Sequence, residues 1–382
     1  MTAVLRGRKL RVLNVHGALY VPYLLTQGLR KLGHRADTVY FEFRGPVRDL
    51  TWGCDYSLRS KWWALPQQAA FLAWAAARYD VFHFWAQPHL VPPLYNVLTK
   101  HYPLDLALLK KLGRKIVYQS DGCYTMIRPS VWKTQIDPEV CFVCQTTQGD
   151  TYGHCSNHNT IRLNAAMEKY ADLRFGTGLG YDFEQGAAFE FFPVDTELWR
   201  PGLEIPPEHV YRRTRPGSVL VYHGVGSHVI GQRGNIKGTQ WIRDTIAEMQ
   251  ESGYNVELMM VERVPNKMVR FYQAQADIVV DQLLLGGGGQ NARECLAVGR
   301  PVLTRVHPEQ WGAFDRSGGR PPFVPTERHN LRENLVRLIE DEELRRDLGA
   351  ASAEFARTVL SPEACAARYL AHYESLFEKE AA

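Results

Sequence analysis

Two glycine-bearing segments in the second half of the chain carry cations and a carboxylate in an order suited to holding a phosphate. The first runs His223-Gly224-Val225-Gly226, continues through Arg233 and reaches Lys237-Gly238-Thr239. It follows the strand-like stretch Ser218–Tyr222. Glycines there let backbone N–H groups approach an anion, and a helix opening just beyond adds a favourable dipole. Arg233 and Lys237 supply fixed positive charge for a diphosphate leaving group, the task a divalent metal performs elsewhere, so no catalytic divalent metal is expected. The second segment follows Asp281-Gln282-Leu283-Leu284-Leu285. Four glycines, Gly286 to Gly289, lead directly into Gln290-Asn291-Ala292-Arg293-Glu294. Amides of Gly287, Gly288, Gly289, Gln290 and Asn291 would face a ligand at the carboxyl end of the preceding strand. Glu294, one turn into the helix, is placed to accept from two vicinal hydroxyls, as on a ribose. Taken singly, a solvated turn and an exposed helix carboxylate explain these residues as well.

The first half offers polar residues at strand ends: His16-Gly17, and Asp121 in Gln119-Ser120-Asp121-Gly122. His16 and Asp121 are candidates for acceptor or phosphate contact, with a turn aspartate the competing reading for Asp121. His83 sits inside the apolar run VFHFW and is expected to be a core histidine. Trp52, Trp62, Trp63, Phe71 and Trp74 could form a sugar-stacking platform, although packing of a helix onto the core is the plainer expectation. Cys141-x2-Cys144-x10-Cys155-x2-His158 has the ligand types and paired spacing of a closed structural zinc site. His154 is the alternative fourth ligand.

The elements that must position these groups alternate. Leu10–Val15, Ala36–Phe41, Val81–Trp85, Lys115–Gln119, Leu173–Phe175 and Ala188–Phe191 read as strands. Helical spacing falls between the first two, at Leu25, Leu29 and Leu32, and again at Leu104–Leu112. Prolines 193, 201, 206, 207 and 216 mark a break, after which the alternation restarts. Strands are expected at Ser218–Tyr222, Val256–Val261, Asp277–Asp281 and Pro301–Arg305, with helices at Thr239–Gln250 and from about Asn291. This pattern predicts an α/β protein with two doubly wound parallel sheets. The expected domains are residues 1–199, a linker at 200–217, a second domain at 218–360, and a helix at 361–382 returning to the first.

Lys and Arg total 45 against 41 Asp and Glu, spread along the chain, so nucleic acid is not an expected partner. No signal-like or membrane-spanning apolar run is visible, which predicts a cytoplasmic protein and leaves a peripheral membrane contact open. The odd number of cysteines, seven, suits a reducing compartment better than a disulfide framework.

Four stretches together resemble the retaining GT-B glycosyltransferases of the family-four type. They are Pro193-Val194-Asp195-Thr196, Lys237-Gly238-Thr239, Ala276-Asp277-Ile278-Val279-Val280, and Glu294-Cys295-Leu296-Ala297-Val298-Gly299-Arg300-Pro301-Val302. The resemblance implies two Rossmann-like domains facing each other across a cleft. It implies a nucleoside-diphosphate sugar donor on the second domain, with Arg233 and Lys237 on the diphosphate and Glu294 on the ribose. A small-molecule or glycan acceptor is expected on the first domain, with hexosyl transfer proceeding with retention. The chain departs from the pattern at Gly286, where such proteins often carry a first glutamate. A sugar-nucleotide epimerase and a weakly catalytic sugar-nucleotide-binding protein are the competing expectations.

Overall fold

A computed structural model describes residues 9–15, 19–42, 52–91, 103–120, 122–123, 125–144, 155–226 and 236–378. In chain order the elements are β1 (Arg11–Val15), α1 (Val21–Lys31), β2 (Arg35–Phe41), β3 (Tyr56–Leu58), α2 (Leu65–Arg78), β4 (Val81–Trp85), α3 (Leu104–Lys111) and β5 (Lys115–Gln119). There follow α4 (Pro129–Val131), α5 (Pro138–Cys144), α6 (Asn157–Tyr170), β6 (Leu173–Phe175), β7 (Val219–Val225), α7 (Thr239–Glu251), β8 (Val256–Glu262) and α8 (Asn266–Gln273). The chain closes with β9 (Ile278–Val280), α9 (Gln290–Ala297), β10 (Val302–Thr304), α10 (Pro308–Arg316), β11 (Phe323–Pro325), α11 (Leu331–Glu340), α12 (Glu342–Phe355) and α13 (Pro362–Glu378).

The strands form two sheets, ordered β3-β2-β1-β4-β5-β6 and β11-β10-β9-β7-β8. Every pairing is parallel. Contacts divide the chain into two units. One comprises Met1–Arg128, Ser156–Pro193 and Pro362–Ala382, the other Pro129–Cys155 and Val194–Ser361.

In the first unit the strands are apolar on both faces because helices cover both, and alternate side chains point opposite ways. Leu13, Val15, Phe82, Phe84, Ile116 and Tyr118 pack with Leu72, Ala75, Leu106, Leu109 and Met167 from α2, α3 and α6. Val12, Val81, Trp85 and Val117 face the other way, onto Val21, Leu25 and Leu29 of α1 and Ala366, Tyr369 and Tyr373 of α13. His83 belongs to this second face. It is fully buried, with Nδ1 2.7 Å from the Tyr373 hydroxyl and its ring 4.6 Å from that of Trp85. Burial lowers its pKa to about 3, so it is a neutral core residue.

In the second unit Val221, Ile278, Val280 and Leu303 pack under α7 (Ile242, Ile246, Met249) and α11 (Leu331, Leu335, Leu338).

Several elements differ from expectation. Ala188–Phe191 is no strand: only Ala188 bridges, to Phe175. The strands β3 and β11 and the helix α8 are absent from the sequence expectation. Residues 129–155 belong with the second unit rather than the first. Asp137 pairs with Arg305, and Glu139 lies 2.8 Å from Arg328, which ties α5 to that unit. The proline-rich stretch expected to be a linker is fastened to the second unit. Glu257 accepts from the amides of Thr214 and Arg215 at 3.0 and 3.1 Å and from the Tyr211 hydroxyl at 2.9 Å. Among the described residues no helix is long and apolar enough to cross a membrane.

Helices α1 and α13 approach so closely that a Cβ at Gly28 would lie 2.1 Å from the Pro362 carbonyl oxygen. That neighbour is backbone and cannot swing aside. Gly28→Leu is therefore expected to destabilise the protein by about 1–3 kcal/mol. Denaturant unfolding with hydrogen exchange on α13 checks this, and an unchanged midpoint would contradict it.

Candidate ligand site at the carboxyl edge of the second sheet

The chain leaves β7 through Gly224, a position where any side chain would collide with its neighbours. A Cβ there would lie 2.0 Å from the Tyr222 hydroxyl and 3.0 Å from Asn291 Oδ1. The absence of a side chain lets Tyr222 donate to Asn291 at 2.8 Å, joining β7 to the first turn of α9. Burial, with Cys295, Glu294 and Asp281 nearby, pushes the Tyr222 phenol well above its usual pKa and keeps it a donor. The Gly224 carbonyl accepts from Lys237 Nζ at 2.8 Å.

Lys237 also lies 2.8 Å from Asp281 Oδ1, and that oxygen accepts from Asn291 Nδ2 at 2.9 Å. The Asp281 side chain is fully buried, whereas that of Lys237 keeps 22% of its surface exposed. Asp281 Oδ2 has no hydrogen-bond partner among the described residues. The lysine thus neutralises a buried carboxylate while leaving part of its ammonium stem toward solvent, at the strand ends where α/β sheets take ligands.

The glycine run has a backbone reason. Gly286, Gly287 and Gly288 have φ of +75°, +79° and +59°, conformations that favour glycine. A Cβ on Gly288 would strike the Phe323 ring at 2.5 Å. At Gly286 a Cβ would sit 3.0 Å from the Arg305 carbonyl oxygen, so with its positive φ a glutamate in this turn would be strained. The Gly287 amide is used internally, donating to the Arg305 carbonyl at 2.9 Å. Gly289 caps α9 without a side-chain cap bond, and no acidic residue stands in the first turn. The carboxylate nearest that helix end is Asp281, which reaches the first turn through Asn291.

Glu294 differs from the sequence expectation. It is 2% exposed, and its oxygens accept from Asn266 Nδ2 and Gln273 Nε2, each at 3.1 Å. Gln273 in turn accepts from the Trp199 indole at 2.9 Å and reaches Asn291 Oδ1 at 3.2 Å. At that burial a ribose can reach this carboxylate only after neighbouring groups move. Gly226 is exposed, with open space where a Cβ would stand.

Arg233, His16, Gly17, Asp121 and His154 lie outside the described residues. Among the described residues, then, the structure brings Gly224, Lys237, Asn291 and Glu294 into one hydrogen-bonded chain. It adds Asp281, Tyr222, Gln273 and Asn266, which sequence reasoning did not single out. Asp281 had a signal, an acid ending an apolar strand just before the glycines. The amides of α8 had none.

The cysteine set is not gathered into a metal shell. Cys141 and Cys144 stand one turn apart on α5, Cys141 buried in its packing. His158 is exposed in the first turn of α6, with Nε2 3.4 Å from the cationic Arg162. No three His, Cys, Asp or Glu side chains among the described residues converge as metal ligands. The zinc expectation thus finds no support in the arrangement of its four residues. Of the aromatic group, Phe71 and Trp74 pack against Tyr56 and the core, as expected. Trp52 stacks on Tyr20, and Trp62 and Trp63 are exposed.

No family model and no curated protein matches the chain by sequence. Solved structures match its fold. A sucrose-phosphate synthase from Thermosynechococcus elongatus superposes with a TM-score of 0.60 at 14% identity, covering 97% of this chain and 100% of that one. HepE from Anabaena, in complex with UDP and glucose, gives 0.57 at 12% identity over 96% and 100%. The catalytic domain of starch synthase IV from Arabidopsis thaliana, bound to ADP and acarbose, gives 0.56 at 11% identity over 97% and 99%. The likeness is one of fold, the GT-B arrangement of two parallel-sheet units.

Removing one member of a buried ion pair strands the other. Lys237→Ala is therefore expected to cost about 3–5 kcal/mol of stability, most of it restored in the Lys237→Ala/Asp281→Asn double variant. Chemical unfolding of the three proteins checks this. A single variant as stable as the parent would show that Asp281 does not depend on the lysine.

Proposed function

We propose that this GT-B-fold chain is a glycosyltransferase that takes a sugar from a nucleoside-diphosphate donor held by its second unit. The observation that carries the reading is Lys237, fixed by Gly224 and Asp281 at the end of the parallel sheet and partly open to solvent. Beside it the first turn of α9 is tied in through Asn291. A fixed ammonium beside a helix N-terminus is the pair of features a diphosphate needs. The nucleotides held by HepE (UDP) and by starch synthase IV (ADP) support the same ligand class here.

In this mechanism the bond between the anomeric carbon and the diphosphate oxygen breaks. The charge growing on that oxygen is met by Lys237 and by Arg233. The acceptor hydroxyl attacks the same face and its proton passes to the departing phosphate oxygen, so configuration is retained. Asp281 acts as a positioning residue, holding the ammonium at one place. Because two cations do the neutralising, no divalent metal is required for catalysis. Glu294 and the amides that now fill it order the α8–α9 side of the site, and ribose hydroxyls would replace Asn266 or Gln273 there. His16 and Asp121 are proposed on the acceptor side. The reading places the protein in the cytoplasm.

A thermal-shift screen of UDP, GDP, ADP and TDP with their sugars, with and without EDTA, tests the donor. At least one nucleotide is expected to stabilise the protein equally in both. Turnover at saturating donor should fall at least tenfold in Lys237→Ala/Asp281→Asn relative to Asp281→Asn, a loss of about 1.4 kcal/mol of transition-state stabilisation. Equal turnover would remove Lys237 from the chemistry, and conversion of the donor sugar without transfer would favour an epimerase.

A further inference from the structure

A cavity of about 360 Å³ opens in the second unit, within the roughly 300–1,000 Å³ typical of small-molecule sites. Of the residues around the candidate donor site only Arg305, whose carbonyl receives the Gly287 amide, also lines it. Its walls come from the segments that follow three adjacent strands: Leu283 and Leu284 after β9, Arg305 after β10, and Glu327 and Arg328 after β11. Trp241 of α7, and Asp137 and Glu139 at the start of α5, close it. It therefore lies at the ligand-taking edge of the sheet. Leu283 joins it to the candidate donor loop, since its amide donates to the Lys237 carbonyl at 3.0 Å.

The lining chemistry selects its occupant. Two guanidinium groups stand among three carboxylates, an excess of one acid apart from His329. Arg305 is taken by Asp137 and by the Leu284 carbonyl at 2.9 Å, and Arg328 by Glu139 at 2.8 Å. An anion would have to break these pairs against an excess of acid. An apolar ligand would strip water from five charged groups without replacing it. A neutral polyol does neither. Each carboxylate offers about four acceptor positions and each guanidinium five donors, more than the ion pairs consume. Arg328 lies 4.6 Å over the Trp241 ring, so that wall is already a flat, ordered surface. The part-exposed indole of Trp241 gives the C–H face of a pyranose apolar contact, while Leu283 and Leu284, each 1% exposed, only back the wall.

We infer that this cavity is a subsite for a neutral pyranose unit, and that the acceptor is a neutral glycan or glycoside contacted by the second unit. The assignment to the acceptor rests on the proposed transferase reading; the binding of a neutral sugar does not.

The test is binding of maltose, cellobiose, lactose and mannobiose to the whole protein, by saturation-transfer NMR and calorimetry. Glucose 6-phosphate serves as the charged comparator, and UDP, GDP and ADP are titrated separately. One neutral disaccharide should bind at least tenfold tighter than glucose 6-phosphate. Arg328→Ala and Glu139→Gln should each weaken it about tenfold, with nucleotide affinity unchanged and the native fold retained by circular dichroism. The subsite is refuted if no disaccharide binds while a nucleotide does, if neither variant alters saccharide binding, if glucose 6-phosphate binds tighter, or if the nucleotide displaces the sugar competitively. Disaccharide binding with no nucleotide binding would instead uphold the subsite and overturn the donor reading.

Discussion

A carboxylate that is fully buried at the end of a strand has to be neutralised, and Asp281 imposes that requirement on everything around it. Lys237 answers with its charge and Asn291 with its amide. The first fixes the start of α7 and the second fixes the start of α9, so a single oxygen sets the separation of the two loops. The same constraint reaches the glycines. Gly224 must be bare for Tyr222 to meet Asn291, and Gly286 to Gly288 must turn through left-handed backbone to bring the chain from β9 into α9. The proposed anion site would then be a by-product of solving a burial problem: the lysine recruited by Asp281 keeps 22% of its side chain exposed.

That origin changes what substitution at the site means. Lys237 is both a structural counter-ion and the proposed partner of the leaving group. Glu294 is likewise held by Asn266 and Gln273, and so contributes order before it contributes recognition. Activity losses at either position mix the two roles unless the burial is relieved as well.

Much of the fold was legible because parallel strands buried on both faces write themselves as continuous apolar runs. Val81–Trp85 and Lys115–Gln119 agree residue for residue. Three-residue strands such as β3 and β11 carry no periodic signal, and Ala188–Phe191 looked extended without having a neighbour along its length to pair with. The placement of residues 129–155 was illegible for another reason. It depends on Asp137 and Glu139 meeting arginines more than 150 positions away, a long-range charge match that no local pattern encodes. At the candidate site, motif spacing pointed to Lys237, Asn291 and Glu294. Only coordinates showed that Glu294 is already hydrogen-bonded and that Gly287 spends its amide on Arg305. The cysteine spacing matched a metal site in type and interval, yet helix geometry turns Cys141 inward and leaves His158 beside Arg162.

Helix α13 follows the whole second unit in sequence, yet its Ala366, Tyr369 and Tyr373 cover Val12, Val81, Trp85 and Val117 of the first sheet. During synthesis on the ribosome the part of this face that α13 covers stays open until residues 362–378 have been made, by which point both segments of the second unit have been translated. The order of maturation is then the reverse of the order of translation: the second unit closes first and the first unit last. In that interval the nascent chain presents a half-covered, Trp-bearing sheet, the kind of surface that holdase chaperones bind.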